Sequence, residues 1–384
     1  MRLKKPVNFD CNATRGPLAE VLEEISSCYG SFFNPSSVHS GGQAARALIE
    51  DTRDLIREHL RIDNSYRIIF TSGATESNNT AIMSAYLANP PENNGFVATA
   101  IEHSSVVEPL KRLSRLGADV TFIKPENNFE ITVERVLECC NKKTRFVSIM
   151  AANNETGQLI DTNRIFKELR LRFPEITLHS DCVQLAGKSL ETITSSGADL
   201  YSLSGHKLGA LSGIGLLLVS KDYSLEPLLC GGPHEEKLRA GTENVCGIVS
   251  FAAAIKRFYS DPEGRIIRMR EYRDRIWSTL RDNFNDLSLN YSSERMLPNT
   301  ISVHIPGVLA SDLVVALDLE GVLISAGSAC SSGKPEGSHV LKEMGYDDRH
   351  TRESVRISTA DWYEPELFDA ALEKLIECIR RMRC

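Results

Sequence analysis

The sequence has no C-x-x-C pair, although it contains 10 cysteines in 384 residues. The missing spacing argues against a structural zinc site and against a thioredoxin-like motif, so we expect no bound metal. Scattered cysteines are typical of thiols kept reduced, and most of them should be buried packing residues. A functional cysteine must therefore be recognised by its surroundings.

Long apolar runs and basic runs are also missing. The longest apolar stretch, residues 214–219, is far shorter than the roughly 20 residues that cross a bilayer. Residues 1–10 lack the apolar segment of a signal peptide, and the net charge of −7 comes without a basic stripe that could follow a phosphate backbone. We expect a cytoplasmic protein that binds neither membranes nor, stably, nucleic acid; docking to an RNA-modifying partner stays open.

The length and the order of sequence patterns predict two domains and an α/β fold. A chain of 384 residues exceeds the roughly 250–300 residues of a single core. From about residue 67 to 220, apolar runs alternate with helix-length segments, which predicts a mostly parallel or mixed seven-stranded sheet with helices on both faces. The predicted strands are Arg67–Thr71, Phe96–Ala100, Val120–Lys124, Phe146–Ala151, Ile176–Ser180, Leu200–Leu203 and Ile214–Val219.

The character of the sequence changes after about residue 258. We predict a long charged helix over about 259–283, then shorter strands and helices, and a final amphipathic helix from about Glu364. This pattern indicates a smaller α+β domain. We therefore predict a large domain over residues 14–257 and a small domain formed by residues 1–13 and 258–384.

Ser204–Lys207 (Ser-Gly-His-Lys) is the strongest single chemical signal, and it directly follows a strand-like run. A lysine in a loop at a sheet edge, among small residues and beside a histidine, can lose solvation. That loss favours the neutral amine which Schiff-base chemistry requires. A surface lysine at the end of a strand is the competing interpretation.

Two further motifs suit a ring-bearing, phosphorylated ligand. Asp181 ends a strand-like run and could pair with a protonated pyridine nitrogen, while Gln184 could reach a ring oxygen. Thr71–Ser77 joins a strand to a helix whose first N–H groups could bind phosphate together with the Thr75 hydroxyl. A helix cap at Asp181 and an ordinary turn with a capping box at Thr71–Ser77 are the alternatives.

Eight separated motifs occur in an order that is typical of one enzyme family. Five of them resemble fold-type I pyridoxal-phosphate (PLP) enzymes of the class V aminotransferase group: Thr71–Ser77, Glu102–Ser104, Asn153–Gly157, Asp181 with Gln184, and Ser204–Lys207. Three more narrow the resemblance to cysteine desulfurases of the NifS/IscS type: Arg239–Asn244, Ser328–Cys330 and Val355–Ser358. The similarity runs from about residue 8 to 360.

The resemblance implies a role for each motif. Lys207 would carry PLP as a Schiff base, His103 would stack on the ring and serve in proton transfer, and Cys330 would take the sulfur of L-cysteine as a persulfide. The residues implied in cofactor binding are Ala74, Thr75, His103, Asn154, Asp181, Gln184, Ser204, His206, Lys207 and Thr242, the last from the other subunit of a homodimer. Those implied in substrate binding are Asn154, Arg356 and Asn34.

Cys330 lies in Ser325–Gly333, a stretch of small residues without apolar periodicity. Burial as core packing is therefore not expected, and a loop over about residues 326–337 could bring the thiol to the substrate. The following Glu336–Leu341 resembles the longer-loop, IscS-like branch of the family. That resemblance implies transfer of the sulfur to an acceptor protein of iron–sulfur cluster assembly or of a thiolation pathway.

Three places depart from the family pattern, namely Asp10–Arg15, Leu208–Gly213 and Cys182. They surround the expected cofactor entrance and remove no catalytic group. Two alternatives remain open: a selenocysteine lyase or other class V aminotransferase-like enzyme, and a non-catalytic scaffold paralogue. Cys330 argues against an aminotransferase, and Lys207 together with Cys330 argues against a scaffold.

Overall fold

The computed structural model describes residues 3, 5–28, 30, 33–89, 94–126, 129–327 and 337–383. A seven-stranded sheet in the order β2-β8-β7-β6-β5-β3-β4 forms its centre. β8 runs antiparallel to both of its neighbours, and the other paired strands of this sheet are parallel. The predicted α/β class with a mostly parallel seven-stranded sheet is therefore confirmed.

The strands of the central sheet agree closely with the predicted runs. They are Tyr66–Thr71 (β2), Gly95–Thr99 (β3), Asp119–Ile123 (β4), Thr144–Ser148 (β5), Thr177–Asp181 (β6), Leu200–Ser204 (β7) and Gly215–Ser220 (β8). Two smaller sheets contain Val7–Asn8 (β1) with Val322–Leu323 (β11), and Ser288–Leu289 (β9), Thr300–His304 (β10) and Ser354–Ser358 (β12).

Twelve α-helices are found within the described residues. They are Ala19–Cys28 (α1), Ser40–His59 (α2), Ala74–Ala88 (α3), Ser104–Arg115 (α4), Val133–Cys139 (α5), Thr162–Arg172 (α6), Val245–Tyr259 (α7), Pro262–Asn283 (α8), Ala310–Glu320 (α9), His339–Glu343 (α10), Asp348–Arg352 (α11) and Pro365–Arg383 (α12).

The predicted helix over 259–283 was wrong at its start. Residue 259 ends α7, a helix that was not predicted, and α8 begins at Pro262. The Asp261 carboxylate accepts from the Gly264 N–H at 3.1 Å and so caps the new helix. Pro262 suits the first turn of a helix but has no N–H to continue the previous one, which explains the break.

Alternation along β8 shows how the central sheet is buried on both faces. Leu216 and Leu218 belong to one apolar cluster, and Leu217 and Val219 belong to another. Successive side chains of a strand point to opposite faces, so each face of the sheet carries its own core. Near-continuous apolar strands are the sequence signature of this arrangement.

A third apolar cluster joins the start of the chain to its last third. Val7 and Phe9 pack with residues between Ile276 and Ile379, and β1 pairs in parallel with β11. Tyr291 and residues 340, 341 and 344 pack instead with the core of the central sheet. The domain boundaries at residues 13/14 and 257/258 stay a prediction.

The parallel strands of the central sheet end at one edge. Thr71, Thr99, Asp181 and Ser204 are the last residues of β2, β3, β6 and β7. Segments that follow these strands therefore meet beyond the same edge, where ligands of such sheets bind. Among the described residues, no helix is both long and apolar enough to cross a membrane.

Candidate active site

A cavity of about 1030 Å³ opens beyond this edge of the sheet. Ten of the predicted site residues line it, namely Ala74, Thr75, His103, Asn154, Asp181, Gln184, Ser204, His206, Lys207 and Arg356. We call the part formed by Ser72–Thr75, Asp181 and Ser204–Lys207 the cavity floor. Asn154 and Arg356, which line the cavity, and Asp10, which pairs with Arg356, are together called the substrate side. The sheet thus brings together groups that are far apart in sequence.

Lys207 ends a short 3₁₀ turn, Gly205–Lys207, that follows β7 directly. Its amine donates to the backbone carbonyl oxygens of Asn12 at 2.7 Å and Ala13 at 2.6 Å. Gly205 is required because a Cβ there would lie 2.7 Å from Ile214 Cγ2. The turn therefore fixes the amine at the cavity floor, against the N-terminal segment.

Asp181 presents a carboxylate to the cavity although its exposure is only 5%. Oδ1 accepts from the Val183 N–H at 3.0 Å, and Oδ2 accepts from Asn78 Nδ2 at 2.8 Å. Each oxygen thus has one protein donor and retains a second lone pair. A carboxylate held in this way can pair with a cationic nitrogen in the cavity.

His103 caps α4, and its Nδ1 accepts from the Ser105 N–H at 3.2 Å. Burial lowers the pKa of His103, the charges of Lys207 and His339 lower it further, and Asp181 opposes them. The imidazole is therefore favoured in its neutral form at the cavity wall.

The N-terminus of α3 forms a pocket for an anion. Gly73 precedes the helix with φ 155°, and no side chain caps the first turn. Uncapped N–H groups and the positive end of the helix dipole attract negative charge. A Cβ on Gly215 would lie 2.6 Å from the Gly73 Cα, so β8 packs here against bare backbone. Thr75, Ser204 and His206 line the same cavity.

His206 stays uncharged at neutral pH. Its pKa is lowered to about 4 by burial, with Lys207 and Lys188 adding to the shift. A neutral imidazole can still donate one hydrogen bond from a ring nitrogen. His206 thus suits hydrogen bonding better than charge pairing.

Gln184 is oriented by a buried lysine that was not predicted. Lys188 is 1% exposed, and its amine donates to Gln184 Oε1 and, at 2.9 Å, to Asn12 Oδ1. Because the Asn12 carbonyl oxygen only accepts, the Gln184 NH₂ must face it, and the Gln184 oxygen then faces Lys188. One hydrogen of that NH₂ goes to the Asn12 carbonyl at 3.1 Å, and the second is left for another acceptor. Burial lowers the pKa of Lys188.

Arg356 is already paired on the substrate side. Its Nη2 contacts Asp10 Oδ1, and its Nη1 donates to the Asn154 carbonyl at 3.1 Å. The side chain is 3% exposed, and its Nε is buried with no hydrogen-bond partner among the described residues. An incoming carboxylate would therefore compete with Asp10 for the guanidinium.

Two predicted residues within the described part of the chain are not part of this cavity lining. Asn34 and Thr242 are exposed and do not line the cavity of their own chain. Cys330 and most of the predicted loop lie outside the described residues. The Glu155 carboxylate accepts from the Ser338 hydroxyl, close to the point where the described chain resumes.

The segment before Thr242 has an unusual backbone. Glu235, Glu236 and Lys237 have φ of 44°, 57° and 69°. The Glu235 carboxylate accepts from the Phe70 N–H at 2.9 Å and pairs with Arg53 at 3.2 Å. Burial of these contacts holds three non-glycine residues in the left-handed region, which is otherwise unfavourable.

Arg239 fastens the same segment to the start of α3. Its Nε donates to Glu76 Oε1 at 2.9 Å. Glu76 Oε2 accepts in turn from the Ser72 N–H at 2.8 Å, so Arg239 is connected to the cavity floor of its own chain. Thr242 is therefore presented at the surface from a fixed base.

Comparison with known proteins identifies the family. The Aminotransferase class-V model matches residues 7–363. The putative cysteine desulfurase IscS 1 of Bacillus subtilis is 35% identical over 377 residues, covering 97% of this chain and 98% of that protein. A solved NifS-like protein superposes with a TM-score of 0.91 at 31% identity, covering 98% of this chain and 100% of the other.

A second solved structure, SspA in complex with cysteine, matches with a TM-score of 0.77 at 28% identity, covering 93% of this chain and 99% of that one. The chain belongs to the class V aminotransferase family. Within that family it belongs to the cysteine desulfurases of the NifS/IscS type, as the sequence motifs predict.

Proposed function

We propose that the chain is a PLP-dependent cysteine desulfurase, which converts L-cysteine to L-alanine and holds the sulfur as a persulfide on Cys330. One observation carries the proposal: the amine of Lys207, the carboxylate of Asp181 and the uncapped start of α3 face one cavity in a chain related to desulfurases. Amine, carboxylate and anion pocket are the three partners that PLP needs.

The residues of the cavity floor fit PLP. Lys207 would hold the aldehyde carbon, Asp181 the ring nitrogen, and the first turn of α3 the phosphate. Ala74, Thr75, Ser204 and His206 would complete the phosphate site, and His103, Asn154 and Gln184 would contact the ring. The free hydrogen of the Gln184 NH₂ supports its contact with a ring oxygen. When bound, PLP supplies an electron sink that stabilises negative charge at the substrate α-carbon.

Lys207 would move the proton in the first half of the reaction. Its Nζ would take the proton from the α-carbon of L-cysteine, since the amine is held at the floor by the carbonyl groups of Asn12 and Ala13. Asp181 would keep the ring nitrogen protonated, because the carboxylate is nearly buried and already held by two donors.

Arg356 would bind the substrate carboxylate. The unpaired Nε of its guanidinium supports this role, because a carboxylate could satisfy Nε and Nη2 together as a bidentate partner. Asp10 would be displaced from Nη2 in the process. Asn154 and Asn34 are the further residues that we propose for the substrate.

Cys330 would carry out the sulfur transfer. Its thiolate forms a bond to the substrate sulfur while the bond between that sulfur and the β-carbon breaks. The electron pair of the broken bond stays with the carbon, which takes up a proton and leaves as L-alanine. The persulfide is then passed to the thiol of an acceptor protein.

A homodimer is part of the proposal. Thr242 is exposed and stands on a segment that is pinned by Glu235 and Arg239. This arrangement supports a contact between Thr242 and the phosphate site of a second copy. A cytoplasmic location and a sulfur acceptor from iron–sulfur cluster assembly or a thiolation pathway complete the proposal.

The function is tested by incubating the purified full-length protein, loaded with PLP, with L-cysteine. We expect L-alanine to be released, and mass spectrometry of proteolytic fragments to find one added sulfur on the peptide that contains Cys330. The peptide with the exposed Cys230 is the internal control and should stay unmodified. Absence of alanine would contradict the proposed function. Release of alanine without added sulfur on Cys330 would contradict the persulfide step.

A further inference from the structure

Asn78 is a buried residue of α3 to which the sequence motifs assign no role. Its exposure is 0%, and its amide nitrogen donates to Asp181 Oδ2 at 2.8 Å and to Ser105 Oγ at 2.8 Å. An amide nitrogen has two hydrogens, so these two bonds use both of them. Reversing the amide would set its oxygen against the Asp181 carboxylate, and this repulsion fixes its orientation.

Ser105 continues the connection to His103. Nδ1 of His103 already accepts from the Ser105 backbone N–H, so the Ser105 hydroxyl, 2.8 Å from that nitrogen, directs its hydrogen at it while accepting from Asn78. The Ser105 backbone N–H donates to the same nitrogen at 3.2 Å. Two donors at Nδ1 leave no room for a proton there, so the neutral imidazole carries its hydrogen on Nε2.

The asparagine is not explained by packing. Its Oδ1 is buried and has no hydrogen-bond partner among the described residues. A buried oxygen without a partner destabilises a fold, and a small apolar side chain would avoid that penalty. The two donated hydrogen bonds, rather than packing, therefore account for an asparagine at position 78.

We propose that Asn78 is a positioning residue that joins Asp181 and His103 in one hydrogen-bonded assembly. This inference rests on the proposed function, in which both groups meet the PLP ring. The bond to Asp181 aligns the carboxylate with the ring nitrogen. The branch through the Ser105 hydroxyl gives His103 Nδ1 a second donor beside the Ser105 N–H and so strengthens the preference for the hydrogen on Nε2.

Three variants separate the two branches. Asn78→Ala removes both. Asn78→Asp keeps the size and shape of the side chain. The new carboxyl group and that of Asp181 would share one proton, which replaces the hydrogen bond to Asp181. No hydrogen is then left for the bond to Ser105. Ser105→Ala removes the His103 branch alone. Asn89→Ala, at the other end of α3, is the matched control, since its amide donates only a local bond to the Ala85 carbonyl at 2.6 Å.

The branches are read out by different measurements on the full-length chain. The PLP dissociation constant, from titration of the cofactor-free protein followed by visible absorption, should rise about tenfold in Asn78→Ala and stay within about twofold in the other three variants. The kcat for L-alanine release should fall about tenfold in Asn78→Ala, Asn78→Asp and Ser105→Ala. KM for L-cysteine should stay within about twofold, because Asn78 and Ser105 are not among the residues that we propose for substrate binding.

Two outcomes overturn the proposal: an unchanged PLP affinity in Asn78→Ala, or an equal loss in Asn89→Ala. If Asn78→Ala does not fold, unchanged kcat in both Asn78→Asp and Ser105→Ala overturns it instead. A wild-type protein that releases no alanine contradicts the proposed function, and the PLP affinities still decide the role of Asn78.

Discussion

The cavity floor and the substrate side are built in different ways. The floor consists of turns that directly follow strands of one sheet, and its donors and acceptors point into the cavity. On the substrate side, Arg356 comes from a small sheet near the end of the chain and already pairs with Asp10 from its beginning. The floor is thus preorganised, whereas a substrate carboxylate that bound Arg356, as we propose, would compete with an existing ion pair.

This difference separates what each half contributes. A preorganised floor should bind the cofactor whether or not substrate chemistry can follow. The substrate side, in which Arg356 is paired with Asp10, should control how well L-cysteine binds and reacts. Variants of the substrate side should therefore leave the affinity for the cofactor unchanged, so that the two contributions can be measured separately.

Lys207→Ala should have the largest effect, because it removes the only atom of the floor that would bond covalently to PLP. We expect desulfuration to fall by about a thousandfold or more, with loss of the visible absorption of the bound cofactor. Lys221→Ala, an exposed lysine at the end of the neighbouring strand β8, should behave as wild type. A yellow, active Lys207→Ala protein would contradict the assignment of the floor.

Cys330→Ser should stop the sulfur transfer without changing the binding of the cofactor. We expect no sulfur on the protein and at least a hundredfold slower alanine release, since the hydroxyl is a far weaker nucleophile than a thiolate. The cofactor absorption should be unchanged. Cys230→Ser is the matched control, and equal losses in both variants would refute a special role for Cys330.

Acid should weaken the sheet beneath the floor. His179, on β6, is hydrogen-bonded to Ser148 and Ser202, and burial lowers its pKa to about 3. Between its unfolded pKa of about 6.5 and this value, the unfolded chain binds the extra proton, so stability falls as pH falls. We expect a loss on the order of 3 kcal/mol between pH 6.5 and 4 from this residue.

The measurement for His179 is chemical denaturation at several pH values. His179→Asn should lose stability by a constant amount from its smaller size but should show a shallower dependence on pH than wild type. Parallel curves for the two proteins would show that His179 does not titrate in this range. The comparison uses the slopes, so the constant offset does not matter.

Arg356→Lys should weaken substrate binding without affecting the cofactor. A lysine keeps the charge but cannot form the bidentate contact, so we expect kcat/KM for L-cysteine to fall about ten- to a hundredfold. The PLP dissociation constant should stay within about twofold. Arg352→Lys, at an exposed arginine four positions earlier, should change neither quantity.

Glu236→Gly should have the smallest effect and the opposite sign. The exposed Glu236 has φ 57°, which glycine adopts without strain, so the free energy of unfolding should rise by about 0.5–1 kcal/mol. Thermal unfolding measures the change. Glu226→Gly, in an exposed loop without positive φ, should lower the stability slightly; a decrease in both variants would contradict the strain.

The floor could be predicted from the sequence because its residues follow strands that are themselves recognisable. Asp181 and Ser204 end apolar runs, and Lys207 follows within three residues. Asn78 and Lys188 could not be predicted, because their roles depend on partners in other elements, such as Ser105 and Asn12. Neither residue lies in a motif whose spacing suggests a ligand.

The seven strands were predicted to within a few residues, whereas the break between α7 and α8 was not. The charged pattern continues across Asp261 and Pro262. The helix boundary depends only on the helix cap at Asp261 and on the proline ring of Pro262. The self-pairing of Arg356 with Asp10 was also hidden, since it joins residues at opposite ends of the sequence. Long-range side-chain contacts are therefore the part that periodicity does not reveal.

The contact between Lys207 and the backbone of Asn12 and Ala13 has a practical consequence. The backbone of residues 12 and 13 supplies two hydrogen-bond acceptors to the Lys207 amine. A substitution or cleavage between residues 5 and 13 that moves this backbone would therefore change the position of the amine. Preparations that differ in this segment should be compared for cofactor content before their activities are compared.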